Sequence, residues 1–166
     1  VGRSTDRALL LDYRAACEIK TEKAIRLEKE AIALIPEISE ENAHLISNLY
    51  SNLGGLYKKA GKRDLAQQAM EQGLRILEQY DLLYYHDSIA QTANYAVLLT
   101  EMGKPERGLS ALKKLSLMIR DLNSDQTIDY ATVQEAMGGV CLAAGDIRQA
   151  FYSFTYTTSS PISHSR

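Results

Sequence analysis

The side chains that most often perform catalysis are present, but they form no catalytic or metal-binding pattern. The three histidines, His44, His86 and His164, lack the HExxH spacing and the other spacings that metal ligands use. Serine, cysteine and aspartate occur without a phosphate-binding loop, a GxSxG nucleophile elbow or a dinucleotide fingerprint. We therefore predict that the chain is not an enzyme and uses no metal or cofactor, and that its histidines are solvated or locally hydrogen-bonded.

The charged side chains are mostly scattered, with one basic cluster formed by Lys58, Lys59, Lys62 and Arg63. Two interpretations of this cluster are open: the cations stabilise a helix C-terminus and aid solubility, or they hold a carboxylate of a ligand. Several glutamates are expected to form solvated helix faces, namely Glu28, Glu30, Glu40 and Glu41. The formal net charge of −2 argues against a nucleic-acid partner, because phosphate binding needs clustered positive charge.

The composition favours a helical protein with an ordinary apolar core. Hydrophobic residues make up 45% of the chain and charged residues 24%, which is too apolar for disorder. Strand-like alternation is absent, which predicts an all-α fold, and no apolar run approaches the roughly 18 residues needed to span a membrane. We expect no membrane partner. Cys17 and Cys141 are expected to be buried, reduced thiols, with a disulfide as the alternative, which favours a cytoplasmic location.

A repeat organises the chain. Gly61, Gly103 and Gly145 recur at intervals of 42 residues, and a small residue follows each glycine five positions later. Each period predicts two helices joined by a glycine turn. The first helices are predicted at 40–60, 82–102 and 124–144, and the second at 62–79, 105–121 and 147–158. Three residues of N-cap type, also 42 apart, are predicted to begin the first helices: Ser39, Asp81 and Asn123.

The segment from Tyr50 to Tyr57, with Gly61 and Ala66, resembles the tetratricopeptide repeat (TPR) in its order of aromatic, Leu-Gly, Tyr, Gly and Ala. The usual repeat has about 34 residues, and the longer period is similar to that of kinesin light chains and bacterial peptide-sensing TPR regulators. This resemblance implies a right-handed superhelix, or solenoid, of about four helical hairpins that binds a protein or peptide. The implied domain is a single array over 1–158, with repeats at 1–38, 39–80, 81–122 and 123–158 and a polar tail at 159–166.

The resemblance also implies a concave groove lined by the first helix of each repeat. Carried over position by position, the groove residues are Asn48, Asn52, Lys59, Asn94, Glu101 and Glu135, beside Ala90 and Thr132. In similar proteins an asparagine at the position of Asn52 and Asn94 pairs with the backbone of an extended peptide. The alternative is an asparagine that bonds within its own helix.

The sequence leaves alternatives open for the first repeat, for the last helix and for the function. Ile19 and Asp12 stand where the first repeat should have its glycines, so residues 7–35 form either a hairpin or one long helix. Phe151, Phe154 and Tyr156 predict an apolar end that is covered either by a following helix of a longer protein or by a second copy. In the second case the chain is a homo-oligomer. The alternative function is a regulatory or oligomerisation segment of a larger transcription regulator or signalling protein.

Two pairs of glycines interrupt predicted first helices, at Gly54-Gly55 and again two periods later at Gly138-Gly139. A glycine inside a helix costs roughly 1 kcal/mol relative to alanine. Close packing between helices, or room for a ligand in the groove, would account for them.

Overall fold

The computed structural model describes residues 2–122 and 127–159, with side chains described as far as residue 155. Eight α-helices and no strand occur in these residues. Their bounds are α1 Gly2–Ala16, α2 Thr21–Ala33, α3 Ala43–Lys59, α4 Arg63–Gln79, α5 His86–Glu101, α6 Pro105–Asp121, α7 Ile128–Ala143 and α8 Ile147–Ser159. The predicted all-α helical-repeat fold is confirmed. None of the described helices has the length and apolarity that crossing a bilayer requires.

Consecutive helices pack as four hairpins, which fall into two compact units, Val1–Leu82 and Leu83–Arg166. In the first unit α2 also packs against α3, and in the second α6 and α5 both pack against α7. The first repeat is a hairpin, since α1 and α2 are separate helices, so a single helix over 7–35 is wrong. Ile19 lies in the turn between them and is 90% exposed.

Glycine ends three of the helices in a conformation that other residues adopt at a cost. Gly103 has φ +73° and donates its N–H to the Thr100 carbonyl at 3.0 Å. Lys104 donates to the Leu99 carbonyl at 2.8 Å, which completes the two-bond motif that closes a helix C-terminus. The same motif, with φ of +74° and +81°, occurs at Gly61 and Gly145.

Two of the predicted N-caps, Ser39 and Asp81, do not cap the helices that follow them. Asp81 has φ +55° and ends α4: its N–H donates to the Glu78 carbonyl, while Leu82 donates to the Leu77 carbonyl at 2.7 Å. Aspartate is a common N-cap residue, but it also tolerates the left-handed backbone conformation. Asp81 uses this second property and ends α4 instead of beginning α5. The helices α3 and α5 begin later, after Asn42 and Tyr85. Asn123 lies outside the described residues.

The two helices of a hairpin approach closely at one repeat position. A Cβ added at Gly54 of α3 would lie 2.6 Å from Met70 Cγ of α4. A Cβ added at Gly138 of α7 would lie 2.6 Å from Phe154 Cε1 of α8. Both distances are shorter than carbon atoms tolerate, so a small residue on the first helix is required opposite a bulky residue on the second. These two glycines are explained by packing.

In the first hairpin, a pair of carboxyl groups occupies the same two repeat positions. Glu28 of α2 corresponds to Met70 and is 2% exposed, and Asp12 of α1 corresponds to Gly54 and is half-buried. Glu28 was predicted to be solvated, and this is wrong because its repeat position faces the neighbouring helix. Burial, the hydrogen bond with Asp12 and the negative charge of Asp12 together raise the pKa of Glu28 to about 9, with burial as the largest cause. Glu28 is therefore protonated at neutral pH and donates to Asp12.

The left-handed turns predict how glycine substitutions change stability. Gly103→Ala places a side chain at positive φ and should lower the free energy of unfolding by about 1–2 kcal/mol. Asp81→Gly removes the corresponding strain at α4 and should not lower it. Urea unfolding of both variants beside the parent measures the two effects. Equal destabilisation by both substitutions would contradict the assignment of Asp81 to this turn.

The buried carboxyl pair predicts a pH dependence of folding. Because folding raises the pKa of Glu28 from 4.5 to about 9, the native state holds one more proton than the unfolded state between these values. Stability from this group is complete below pH 4.5 and is lost as the pH rises through about 9, at roughly 1 kcal/mol per pH unit. Glu28→Gln keeps a donor to Asp12 and cannot ionise, so it should be more stable than the parent at pH 8 and less sensitive to pH.

Urea unfolding between pH 5 and 9 measures this difference in slope. Glu30→Gln is the matched control, because Glu30 lies on the same helix and is exposed. It should follow the profile of the parent. Parallel profiles for Glu28→Gln and the parent would show that Glu28 does not take up a proton on folding.

Candidate functional site

The exposed face of α3 carries the three predicted groove residues of the first unit. Asn48, Asn52 and Lys59 are spaced by four and seven residues, which places them on one side of the helix. Asn48 is half-buried, whereas Asn52 and Lys59 are exposed. The face is polar, and the opposite side of α3 is buried through residues such as Leu53, which is 6% exposed.

Asn52 forms a contact that the sequence did not predict. Its Nδ2 donates to Asp12 Oδ1 of α1 at 2.8 Å, so the amide joins two first helices instead of bonding within its own helix. The amide orientation follows from this contact, since a carboxylate accepts hydrogen bonds from the nitrogen side. The carbonyl oxygen Oδ1 of Asn52 has no partner among the described residues.

The second unit has its own exposed polar face. Asn94 and Glu101, seven residues apart, lie on one side of α5, and Glu135 is exposed on α7. Asn94 makes no side-chain hydrogen bond to any described residue, whereas Glu101 has an interaction within the chain. Asn94 therefore holds a free amide at the repeat position that Asn52 occupies in the first unit.

Gly55 and Gly139 leave open space on the same helices. Both are exposed, and a Cβ added at either one would have no heavy atom within 4 Å. Their neighbours Gly54 and Gly138 are held by packing, so each pair contains one glycine that the fold needs and one that it does not.

The basic cluster is partly neutralised. Lys62 Nζ lies 2.8 Å from Glu22 Oε1, so it ties the start of α4 to α2. Lys58 also has an interaction within the chain. Lys59 and Arg63 are exposed, which leaves Lys59 as the member of the cluster that shares a face with Asn52.

The histidines take no part in a metal site of the described residues. His86, the first residue of α5, places Nδ1 2.6 Å from Asp129 Oδ1 near the start of α7, and hydrogen bonding to Asp129 raises the pKa of His86. Tyr84 and Tyr85 stack beside it with ring centroids 4.7 Å apart. No group of three or more potential ligands that could hold a metal ion occurs within 2–122 and 127–159. His164 lies outside these ranges.

The cysteines differ from each other. Both are free thiols, and Cys141 is buried as expected. Cys17 is exposed, so the expectation that both would be buried is wrong. The residue lies in the turn after α1, beyond the last buried residue of that helix, Ala15.

Comparison with known proteins gives similarity to helical-repeat proteins. No protein-family model matches the sequence. "Protein KINESIN LIGHT CHAIN-RELATED 3" of Arabidopsis thaliana is 24% identical over 134 residues, which cover 80% of this chain and 20% of the relative. The chain thus spans about a fifth of the length of that curated relative.

Two groups of solved structures share the fold. The nearly identical TPR-like repeats of a putative kinesin light chain from Podosopora anserina superpose with a TM-score of 0.72 at 13% identity, over 84% of this chain and 66% of theirs. A variant of the same repeats gives 0.73. BtubC (BKLC) from P. vanneervenii gives 0.61 at 19% identity, over 95% of this chain and 86% of its own. This chain is built from helical repeats of the TPR type.

Proposed function

We propose that this chain is a non-enzymatic scaffold that binds a protein or an extended peptide along the exposed faces of its first helices. The observation that carries the proposal is the pair of open glycines, Gly55 and Gly139. Each lowers helix stability by roughly 1 kcal/mol relative to alanine, and no packing against the described residues offsets this. A partner backbone that lies close against the helix needs the space that a side chain would fill.

The polar residues on the same faces support this function. The amides of Asn52 and Asn94 each combine a donor and an acceptor, as the backbone of an extended segment does. Lys59, Glu101 and Glu135 add charge of both signs, and Asn48 flanks Asn52. A scaffold role agrees with the TPR-type fold, and a cytoplasmic location belongs to the same proposal.

Binding should depend on the asparagines and on the open glycines in different ways. Asn52→Ala and Asn94→Ala each remove a hydrogen bond worth about 0.5–1.5 kcal/mol, so affinity should fall by up to roughly tenfold. Gly139→Ala should raise the free energy of unfolding by about 0.5–1 kcal/mol and still weaken binding. Peptides selected from a random display library against the parent chain, then synthesised, provide ligands whose affinity is measured by fluorescence anisotropy.

Two control substitutions separate the binding face from the rest of the molecule. Lys113→Ala changes an exposed residue of α6, a second helix, and should leave affinity unchanged. Leu53→Ala truncates a side chain that is 6% exposed, and should lower stability by about 2–5 kcal/mol. If both asparagine variants bind the selected peptides as the parent does while Lys113→Ala loses them, the proposed face is not the binding surface.

A second candidate function is oligomerisation, with the chain acting as a regulatory or assembly segment of a larger protein. It is favoured by Phe151 of α8, which is 66% exposed. Three periods earlier, Ile25 is 4% exposed and packs in a cluster with Leu53 and Ala69 of the following hairpin. Phe154, by contrast, packs onto Gly138 and is half-buried, so the expectation that it lies on an open end face is wrong. The side chain of Tyr156 lies outside those described.

Self-association should therefore depend on Phe151. In sedimentation velocity, the parent should form a dimer or larger species as its concentration rises, and Phe151→Glu should remain monomeric. Leu117→Glu is the control, since Leu117 is 57% exposed on α6, which is not part of the last hairpin. A parent that stays monomeric at all concentrations contradicts assembly through this face.

A further inference from the structure

Three polar side chains meet where α1, α2 and α3 of the first unit come together. Asp12 contacts both of the others: Asn52 donates to its Oδ1 at 2.8 Å, and the protonated Glu28 shares a hydrogen bond with it. In two of the other hairpins the corresponding positions hold a glycine packed on Met70 or on Phe154, and in the hairpin of α5 and α6 they hold the buried residues Ala96 and Leu112. An apolar contact at this position is compatible with the fold, so the fold alone does not require a carboxyl pair here.

The hydrogen-bonding capacity of this cluster is unbalanced. Oε2 of Glu28 is buried and has no N–H or hydroxyl donor among the described residues. Asp12 has no cationic partner among the described residues. Asn52 donates an N–H to Asp12, and the Oδ1 of Asn52 receives no hydrogen bond from a described residue. Asp12 and Asn52 therefore present acceptors without a cation, and the group that fits them is a cation carrying several N–H donors.

We propose that the first unit binds an arginine side chain of its partner at Asp12 and Asn52. This inference rests on the proposed function, because it names the chemistry that the partner segment presents to one part of the binding face. The guanidinium donates one N–H to the Asp12 carboxylate and another to Asn52 Oδ1. Glu28 is a positioning residue, which holds Asp12 from the buried side.

Arginine fits this position better than lysine because of the shape of its donor group. Its planar fork can donate to two acceptors at once, and the 2.8 Å hydrogen bond holds the Asn52 amide against the Asp12 carboxylate, whereas an ammonium group is a point charge. A metal ion is a poorer occupant, because the described residues bring no third acidic, histidine or cysteine ligand to this cluster.

The experiment uses a short blocked peptide, acetyl-Gly-Ser-Arg-Ser-Gly-amide, and the same peptide with lysine or glutamine in place of arginine. Titration of the whole chain is followed by amide NMR. The arginine peptide should shift the side-chain amide of Asn52 and backbone amides around Asp12, with the lysine peptide several-fold weaker and the glutamine peptide without effect. Asp12→Asn should weaken the arginine peptide about tenfold, whereas Asp6→Asn, which changes an exposed carboxylate of the same helix, should not.

Asn52→Ala keeps the test decisive if Asp12→Asn fails to fold, because Asn52 is exposed and its removal leaves the core intact. It should weaken the arginine peptide several-fold. Equal affinity for the arginine and glutamine peptides, or shifts that do not include Asn52, would overturn the proposal. If the arginine peptide does not bind at Asn52, but binding of the library-selected peptides still depends on Asn94 and Gly139, the arginine site is wrong and the proposed function is still supported. Selected peptides that ignore both asparagines would remove the proposed function, whatever the arginine peptide does.

Discussion

Close approach between the two helices of a hairpin is the constraint on which the rest of this chain depends. At Gly54 and Gly138 a single added carbon would lie 2.6 Å from the side chain of the partner helix. With the helices at this distance, the bulky residues of the second helices fill the interior. The first helices then turn their opposite faces outward, where Asn52, Asn94 and the open glycines lie. The binding face that we propose is thus the side of the first helices opposite to the side that packs against the second helices.

The first hairpin meets the same constraint with different chemistry. Asp12 is larger than glycine and Glu28 is polar, so this contact depends on a shared proton and on the hydrogen bond from Asn52. A buried polar pair stabilises a fold less than a packed apolar pair unless each group finds its partner. The orphan oxygen of Glu28 indicates that the pair is not fully satisfied within the described chain. The contact between Glu28 and Asp12, which leaves one buried oxygen without a hydrogen bond, therefore lies beside Asn52, one of the candidate binding residues.

Much of the fold could be predicted from the sequence, because its strongest signal has a steric cause. The glycines at 61, 103 and 145 mark positive φ, and all three were placed correctly. The predicted caps failed because aspartate suits both an N-cap and a left-handed turn, and residue type alone does not distinguish the two ends of a connection. The register of Glu28 with Met70 predicts its burial, whereas the charge of a glutamate predicts a solvated position, and the register is the better guide here. The hydrogen bond between Asn52 and Asp12 was not predictable, since it depends on the rotamers of residues 40 positions apart.

In each glycine pair, one glycine is needed for helix packing and the adjacent glycine is not. Gly54 and Gly138 are required by the neighbouring helix, whereas Gly55 and Gly139 face open space and weaken their helices without a gain in packing. If the fold alone had set these positions, alanine would serve better at Gly55 and Gly139 and worse at Gly54 and Gly138. At the open glycines, the residue that the proposed partner would need differs from the residue that stability alone would favour. α3 and α7 would each be more stable with a methyl group at this position, and it is this unused stability on which the proposed contact with a partner chain rests.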